Sequence, residues 1–414
     1  MNFNGWNLLI RQRMAALLPL VLVMLVPGLA HGQGAFPAGG ENKARGMESP
    51  LASRRASAVL YNPANLALAP EGGHPYLEIG YASVDYSYEH PRFDQVVVRS
   101  TTPTATVGYS SSYRDGIYWG VVLFPEQSAK MQAPGLPQDF GQGASPLEMR
   151  ERRQVLHSGL GLGYKVSRRL QLGLSVLGTY ERNQVESNVD GSDENLVDAD
   201  YKTQYFRPRF GAHYTKGHVR MVATFMPQHR VTYAGRSVTT FNINDDDAPP
   251  RSFEPAVVGA GVAYKVKRWV GQTDLNYRQW SKGRRSMRSF LAEDSQEADL
   301  KDTLERGLSL AYRYDVANKL IVAAAQSPSP WGIGAAADAA TGAREGAGFG
   351  DVEGISRNTL AAGVTHAFGP KERQSVTLAA FHSRGVREVP ASGDNVGYYQ
   401  VGMTVLSSTV MIDF

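Results

Sequence analysis

The sequence predicts an all-β fold: a 14-stranded antiparallel transmembrane β-barrel with an N-terminal hatch (plug) segment in its lumen. Three observations predict it. Apolar and polar residues alternate along many short segments, which indicates strands with one oily face. The connections between these segments alternate between short and long, as in bacterial outer-membrane barrels with an even number of strands. A strand also runs to the last residue, Phe414, where chain ends are usually frayed and polar.

Residues 1–32 have the layout of a secretory signal peptide. Arg11 and Arg13 form a positive start, residues 14 to about 27 are apolar, and the small residues Ala30 and Gly32 precede the expected cleavage point. A membrane-anchoring helix is the alternative, but the apolar run is too short to favour one. We therefore expect an exported chain.

Composition excludes several other classes. The chain has no cysteine, so disulfides do not hold it together. Its mean hydropathy of -0.30 is too polar for a helical membrane protein. The formal net charge of +4 loses two units with Arg11 and Arg13 and becomes +2. Such a near-neutral exported chain is not expected to bind nucleic acid.

Residues 33–74 are expected to form the hatch. They lack the strand rhythm, yet 58–60 and 66–68 are apolar, and Asn62 with Pro63 is a tight-turn signal. A dangling, disordered tail is the alternative, and it would be poorer in such residues. We therefore expect this segment to fold back into the lumen.

The barrel is expected over residues 75–414. The short connections, expected in the periplasm, contain turn-forming pairs such as Asp115-Gly116 and Gly369-Pro370. They lie at 114–116, 167–169, 215–218, 265–268, 314–319 and 369–373. The long connections, expected outside the cell, lie at about 89–101, 125–150, 188–200, 237–254, 281–301, 328–355 and 385–396.

The segments 117–123, 170–180, 206–214 and 269–277 each place apolar residues on one face. An outward Lys or Arg at mid-membrane costs about 2–4 kcal/mol, and these oily faces carry neither residue. The opposite faces of the last two segments are polar or small and are expected to line the lumen: Arg207, Arg209, Gly211, His213, Gln272, Asp274, Asn276 and Arg278. A soluble β-sandwich also alternates, but it does not need the rhythm of long and short connections.

A closed barrel explains the apolar C-terminus. Its last strand pairs with the first, so no free edge remains and the chain end is tied down. Phe414 is expected at the periplasmic interface, and it resembles the C-terminal signal that the outer-membrane assembly machinery reads. We therefore expect that machinery as a partner.

Several segments resemble the FadL-type outer-membrane transporters of fatty acids and aromatic hydrocarbons. The stretch YNPANLAL at 61–68 resembles their N-terminal hatch, with Asn62, Pro63 and Ala64 as the hatch motif. Later strands are similar at 255–259, 274–281 (DLNYRQWS), 304–314 (LERGLSLAYRY) and 357–369 (RNTLAAGVTHAFG). Arg54 and Arg55 depart from the pattern, because family members often carry an acidic residue just before the A-S-A segment.

The resemblance implies a bacterial outer-membrane channel for passive uptake of hydrophobic molecules, such as long-chain fatty acids or aromatic hydrocarbons. Outer loops capture the ligand, a hatch movement lets it pass, and a gap in the wall releases it sideways into the bilayer. Two other functions stay open. A scaffold or partner in a secretion or cell-surface complex is expected to have a filled lumen, and a general porin is expected to have a continuous aqueous path.

Prolines mark the candidates for a lateral opening, because proline removes a ladder donor. Pro125 ends the third strand, where the family's kink occurs, and Pro208 interrupts the sixth. A simple strand end and a harmless bulge are the respective alternatives. Candidates for ligand binding are oily residues of the long second loop, which otherwise packs on itself. These are Met131, Leu136, Phe140, Leu147 and Met149.

Signals for catalysis, metals or cofactors are weak, and we expect no enzyme, no metal site and no cofactor. His157, His213 and His366 fall within strands and are expected as polar groups of the lumen. The glycine run at 159–163 lies mid-strand and lacks the Lys-Ser/Thr of a phosphate loop, so these glycines are expected to make room for the hatch.

Two of the expected outer loops are charged, and each allows two interpretations. The acidic run at 245–247 is either solvated or binds a divalent ion. Basic residues of the fifth long loop either contact lipopolysaccharide phosphates or are solvated: Lys282, Arg284, Arg285 and Arg288. The expected surroundings are therefore lipopolysaccharide and outer-membrane lipid, and we expect a monomer.

Overall fold

The computed structural model of the protein consists mainly of β-strands. It describes residues 37–90, 93–114, 116–139, 144–189, 195–239, 251–283, 301–328, 356–369, 374–389 and 397–411. The expected signal peptide and Phe414 lie outside these ranges. No helix in the described ranges is long and apolar enough to cross a membrane.

Long strands and short helical turns follow one another along the chain. The strands are β1 Gly73–His90, β2 Phe93–Arg114, β3 Ile117–Asp139, β4 Ala144–Lys165, β5 Leu170–Val189, β6 Asn195–Lys216, β7 Val219–Met226, β8 His229–Thr232, β9 Ala234–Thr239, β10 Arg251–Glu254, β11 Ala256–Val266, β12 Trp269–Gln279, β13 Thr303–Arg313, β14 Asn318–Ser327, β15 Arg357–Phe368, β16 Gln374–Val389 and β17 Gly397–Met411. Short α-helices are Gly40–Lys43 and Ala58–Tyr61, and 3₁₀ turns are Arg55–Ser57, Pro63–Leu68 and Ser281–Gly283.

The strands form a closed antiparallel barrel. Neighbours pair in order from β5 back to β1, across to β17, and on through β11 and β7 to β6, which pairs with β5. The last strand pairs with the first from Tyr76–Met411 to Glu89–Tyr398. Closure pairs the backbone groups on both edges of the C-terminal strand, so neither edge is left open to solvent. The predicted 14-stranded barrel is confirmed.

Two of the fourteen wall positions are built from several segments. β7, β8 and β9 share one position, which we call the seventh wall strand, and β10 and β11 share the next. β8 pairs with β10, whereas β7 pairs with β11 and β6. The interruptions fall at Pro227 and Pro255, since proline cannot donate to a ladder. The wall is therefore irregular on this side.

The two faces of the wall differ as the alternation predicts. Large apolar side chains are exposed on the outside, among them Leu172, Leu174, Phe206, Phe210 and Leu308. Side chains of the opposite face are buried towards the lumen, including Arg207, Arg209, His213, Gln272, Asp274 and Asn276. An outward apolar belt around a polar interior is typical of a transmembrane barrel. The predicted faces of β5, β6 and β12 are confirmed.

Several long connections are shorter than expected. β3 extends to Asp139 and β4 starts at Ala144, so most of the loop expected at 125–150 is a two-stranded hairpin. The loops expected at 89–101 and 188–200 are likewise largely strand, and β16 continues to Val389 within the loop expected at 385–396. The expectation was wrong because β2 to β6 run for 20 to 23 residues, about twice the 9–11 residues that cross a membrane. The backbone ladder continues past that length and pairs groups that a loop would leave to water.

Candidate functional site

Residues 37–69, which we call the lumen segment, lie inside the barrel. Its residues approach inward glycines on many strands, so it touches the wall on opposite sides. Pairs in closest approach include Ala56 with Gly108 on β2, Val59 with Gly159 on β4, Met47 with Gly307 on β13, and Ala44 with Gly363 on β15. Much of the buried core is therefore the contact between this segment and the wall, and a further cluster lies within the wall around Phe381 and Val405.

The predicted hatch motif sits on a shelf of glycines. Gly173 pairs with Gly211 across β5 and β6, so two neighbouring wall positions lack side chains. A Cβ added at Gly173 would lie 2.2 Å from Ala64 N, and one added at Gly211 would lie 2.2 Å from Asn62 Oδ1. Only glycine allows the turn at Asn62, Pro63 and Ala64 to approach this closely. That the motif takes part in hatch movement stays a prediction.

Val59 and Leu66 explain the glycine run at 159–163. Cβ atoms added at Gly159 and Gly161 would lie 2.7 Å and 3.1 Å from Val59, and one at Gly163 would lie 3.0 Å from the Leu66 side chain. The expectation that these glycines make room for the segment is confirmed.

The first half of the lumen segment is held by buried charges. Lys43 Nζ lies 2.7 Å from Glu78 Oε1 on β1, and both side chains are almost fully buried. The other carboxylate oxygen of Glu78 accepts hydrogen bonds from Gly39 N at 2.7 Å and from the Tyr76 hydroxyl at 2.7 Å. Removing one partner of such a pair leaves an uncompensated buried charge, which costs about 3–5 kcal/mol. The sequence pattern did not single out either residue.

Glu41 makes a second charged anchor. Its carboxylate pairs with Lys319 on β14 and lies 3.5 Å from Arg45. Burial raises the pKa of Glu41, but the positive charges of Lys319, Arg54 and Arg45 outweigh burial and hold the pKa well below its ordinary value. Glu41 is therefore ionised at neutral pH. Arg54, a departure from the family pattern, contributes to this positive surrounding.

The second half of the lumen segment packs mainly through apolar side chains. Val59, Leu60, Tyr61 and Leu66 are buried in one cluster with Phe124 of the wall. Three polar side chains of the wall reach this half: the Ser175 hydroxyl donates to Val59 O at 2.8 Å, Arg209 donates to Leu60 O, and His213 Nδ1 lies 2.7 Å from Asn65 Oδ1.

Space beside the first half is small. A cavity of about 20 Å³ lies between the segment and β1, β16 and β17, lined by Gly39, Ser53, Tyr76, Thr377 and Thr409 among others. That volume holds about one water molecule. A larger molecule therefore passes here only if the lumen segment moves.

The ladder between β2 and β3 stops beside Pro125. These strands pair from Arg114–Ile117 to Val107–Leu123. The described part of β2 before Val107 does not pair with β3. The register of β3 against β4 also shifts between Pro125 and Gln127. Pro125 thus lies where the wall loses a ladder, and its role as a lateral opening stays a prediction.

Pro208 also lies where a ladder is missing. β6 pairs with β7 up to Phe210–Phe225, and with β9 from Lys202–Ala234 onward. Between these points, residues 203–209 of β6 pair with β5 but not with the seventh wall strand. Sequence reasoning missed Arg207, which bridges this gap, because alternation shows only that it faces inward.

The predicted ligand residues do not form a loop. Met131 and Leu136 lie on β3, Leu147 and Met149 lie on β4, and Phe140 lies outside the described residues. Leu136 pairs with Leu147 across the hairpin. Their placement in a loop was wrong, since the ladder extends through them, whereas their part in ligand binding stays a prediction.

The histidines do not all face the lumen. His213 is buried against the lumen segment, and His157 Nδ1 lies 2.9 Å from the Thr179 hydroxyl on the inner face. His366, however, is exposed on the outer face, where Nδ1 lies 2.7 Å from Asn318 Oδ1. The expectation for His366 was wrong. Successive side chains along a strand point to opposite faces of the wall, and position 366 falls on the outer face. Within the described ranges, no three His, Asp or Glu side chains form a group that could hold a metal ion.

Comparison with solved structures identifies the architecture. The Pseudomonas putida toluene transporter TodX superposes with a TM-score of 0.65 at 15% sequence identity, covering 94% of this chain and 100% of that one. The chain has the FadL-type fold. A Pseudomonas aeruginosa FadL homologue gives a TM-score of 0.64 at 13% identity over 94% and 100% of the two chains. The Ralstonia pickettii toluene transporter TbuX gives 0.59 at 16% identity over 93% and 97%.

Sequence comparison adds nothing to this. No protein-family model matches the chain, and no curated protein matches it. Within the FadL-type fold, the features that bear on function are therefore those of this chain: a segment inside the barrel and, among the described strands, two places where the wall lacks a ladder.

Proposed function

We propose that the protein is an outer-membrane channel for the passive uptake of hydrophobic molecules, such as long-chain fatty acids or aromatic hydrocarbons. Its outer hairpins and loops capture the molecule, the lumen segment moves as a hatch, and the molecule leaves sideways into the bilayer. The cavity of about 20 Å³ beside its first half is too small for such a molecule, which supports a movement of the segment during passage.

The observation that carries the proposal is the contact between the lumen segment and the end of the β2–β3 ladder. Phe124, next to Pro125, is buried in one cluster with Val59 and Leu60 of the segment. The ladder stops one residue earlier, at Leu123. Displacing the segment therefore uncovers an apolar surface at a point where the wall is not held by backbone hydrogen bonds.

The physical driving force is transfer from water to apolar surroundings. Burying apolar surface yields about 25 cal/mol per Å², so a long acyl chain or an aromatic ring gains several kcal/mol at each apolar site. Movement down a gradient then needs no nucleotide. The outward belt of apolar side chains supports release into lipid directly outside the wall.

The solved structures support the substrate class. Two of the proteins with this fold are toluene transporters. We extend that class to this chain, together with the outer membrane as its location, the assembly machinery and lipopolysaccharide as partners, and a monomeric state.

Uptake by a deletion strain tests the proposal. Cells lacking the protein are expected to take up labelled long-chain fatty acid or labelled toluene more slowly than cells carrying it. The native chain has no cysteine, so one disulfide can be added cleanly. Leu66→Cys with Gly163→Cys ties the second half of the lumen segment to β4, where a Cβ added at Gly163 lies 3.0 Å from the Leu66 Cβ, so a shift of about 0.5 Å brings the pair to disulfide distance. Uptake is expected to stop in this variant and return with a reductant.

A matched control carries Val262→Cys and Thr273→Cys, which are paired across the intact β11–β12 ladder on the outer face. This variant is expected to transport with or without reductant. Equal uptake of both substrates by the deletion strain and the parent would contradict the channel and favour a scaffold. Passage of a hydrophilic sugar in place of both would favour a general porin.

A further inference from the structure

The wall between β6 and the seventh wall strand has a gap in its backbone ladder. Lys202 pairs with Ala234 above the gap and Phe210 pairs with Phe225 below it, so β6 spans it with one residue fewer than its neighbour. The unpaired stretch, residues 203–209, is about 23 Å long at ~3.3 Å per residue. Within it β8 pairs with β10 instead of β6. Backbone groups on both edges of the gap therefore need other partners.

The side chain of Arg207 supplies those partners. Its Nη2 donates to Pro255 O at 2.6 Å and to Pro227 O at 3.0 Å, and its Nη1 donates to Glu254 Oε2 at 2.9 Å. One guanidinium thus joins β6 to the two following wall positions. Charge-assisted hydrogen bonds of this kind are stronger than neutral ones. Breaking them requires movement of one side chain rather than of a strand.

Two more side chains of β6 close the upper part of the gap. The Thr203 hydroxyl donates to Thr232 O at 2.9 Å. The Tyr205 hydroxyl donates to Glu254 at 3.2 Å, and its ring stacks on His229 with the ring centres 5.1 Å apart. The seam, as we call residues 203–209 and 226–233, is therefore held by side chains, whereas the wall above and below it is held by backbone pairs.

Aromatic side chains lie on both sides of the seam. Tyr201, Tyr205 and Tyr233 form a buried cluster with Val231 on the lumen side. Three phenylalanines flank it on the exposed outer side: Phe206, Phe210 and Phe225. Rings favour stacked or edge contacts with other rings, so this route suits a small aromatic molecule.

Arg209 links the seam to the lumen segment. Its Nη1 donates to Leu60 O of the segment, and its Nη2 lies 3.5 Å from Met226 Sδ, immediately before Pro227. The guanidinium also lies 5.9 Å from the ring centre of Tyr61. Displacement of the segment therefore removes a contact that positions the edge of the seam.

We propose that this seam is a second lateral exit, through which small aromatic molecules pass from the lumen into the bilayer. Arg207 holds it closed, and Arg209 couples it to the lumen segment. The exit rests on the proposed channel function, and it lies at a different position around the barrel wall from the opening at Pro125.

A covalent bridge across the seam tests this exit. Tyr205→Cys and His229→Cys are joined with a short bis-alkylating crosslinker in the otherwise complete protein, expressed in the deletion strain. Labelled toluene uptake is measured before and after crosslinking. The control carries Val262→Cys and Thr273→Cys with the same crosslinker, because those residues face each other across an intact ladder. The expected result is slower uptake in the seam variant, because the opening at Pro125 remains, and unchanged uptake in the control.

The outcomes separate the two proposals. Uptake at the control level after crosslinking the seam overturns the second exit and leaves the channel standing. Absence of uptake in the unmodified protein overturns the channel and the exit together. If the double variant does not insert into the membrane, Arg207→Gln tests the same exit. Faster toluene uptake by this variant supports the exit, and an unchanged rate overturns it.

Discussion

The two halves of the lumen segment are held against the wall by different forces. Residues 37–53 are anchored through buried ion pairs, with Lys43 on Glu78 and Glu41 on Lys319. Residues 54–69 pack apolar side chains such as Val59 and Leu66 over glycines of β3 to β5. The first half is therefore specified by charge, and the second half by shape. The second half is also the one that adjoins both irregular parts of the wall.

This difference has a consequence for movement. A buried ion pair resists displacement strongly, because separating it exposes an uncompensated charge to a low-dielectric interior. An apolar contact is lost more gradually, and a passing hydrophobic molecule replaces it with contacts of the same kind. We therefore expect the second half to move during transport while the first half stays fixed.

The largest expected effect comes from removing a charge. Glu78→Ala leaves Lys43 without its partner, and the cost is expected at about 3–5 kcal/mol. Hydrogen exchange measured by mass spectrometry should show a large loss of protection over residues 37–53 and a smaller one over 54–69. The exposed Glu71→Ala is the control and should change neither. Replacing both partners, with Lys43→Met and Glu78→Gln, should restore most of the protection, because the amide still accepts from Gly39 N and the Tyr76 hydroxyl. An equal loss of protection in both halves would contradict the conclusion that charge holds only the first half.

A smaller effect is expected from filling the glycine shelf. Gly173→Ala places a Cβ 2.2 Å from Ala64 N, so the turn must shift, at a cost of about 1–3 kcal/mol. Protection should fall over residues 54–69 and stay unchanged over 37–53. Gly271→Ala is the matched control, because nothing lies within 4 Å of its added Cβ. Full protection of both halves in the Gly173 variant would show that shape does not fix the second half.

The smallest effect is expected from acid. The pKa of Glu41 is lowered in the folded protein, so its contribution to stability is complete above its ordinary pKa of 4.5 and is lost as pH falls through the lower, folded pKa. Protection of residues 37–53, corrected for the intrinsic exchange rate, should be constant from pH 8 to about 5 and decline below 4.5. Glu41→Gln should remove that decline. A decline confined to residues 54–69 would reverse the assignment of charge to the first half.

Much of the fold could be predicted from residue order alone. Period-two alternation on β5, β6 and β12 gave the correct faces, because a strand has only two and lipid tolerates few charges on one of them. The glycine run at 159–163 was correctly linked to the lumen segment. His366 was placed on the wrong face, because it was assigned by residue type, whereas alternation puts it on the same outer face as Leu360 and Val364.

Contacts of the lumen segment could not be predicted in the same way. Lys43 and Glu78 are 35 positions apart, and neither has a local pattern that names the other. The same holds for Arg207, whose partners Pro227, Glu254 and Pro255 belong to other strands. Strand length was also misjudged at Met131 and Leu136, because a ladder can extend beyond the membrane wherever a neighbouring strand is available.

The sequence by itself determined which side chains point outward, where the short turns lie and how many strands close the wall. These properties depend on local periodicity and on the chain's own turn residues. Only the tertiary structure decided which charges meet inside the barrel and where the wall is held by side chains instead of backbone. Those contacts depend on distances between strands far apart in sequence, and on the path of a segment that has no period of its own.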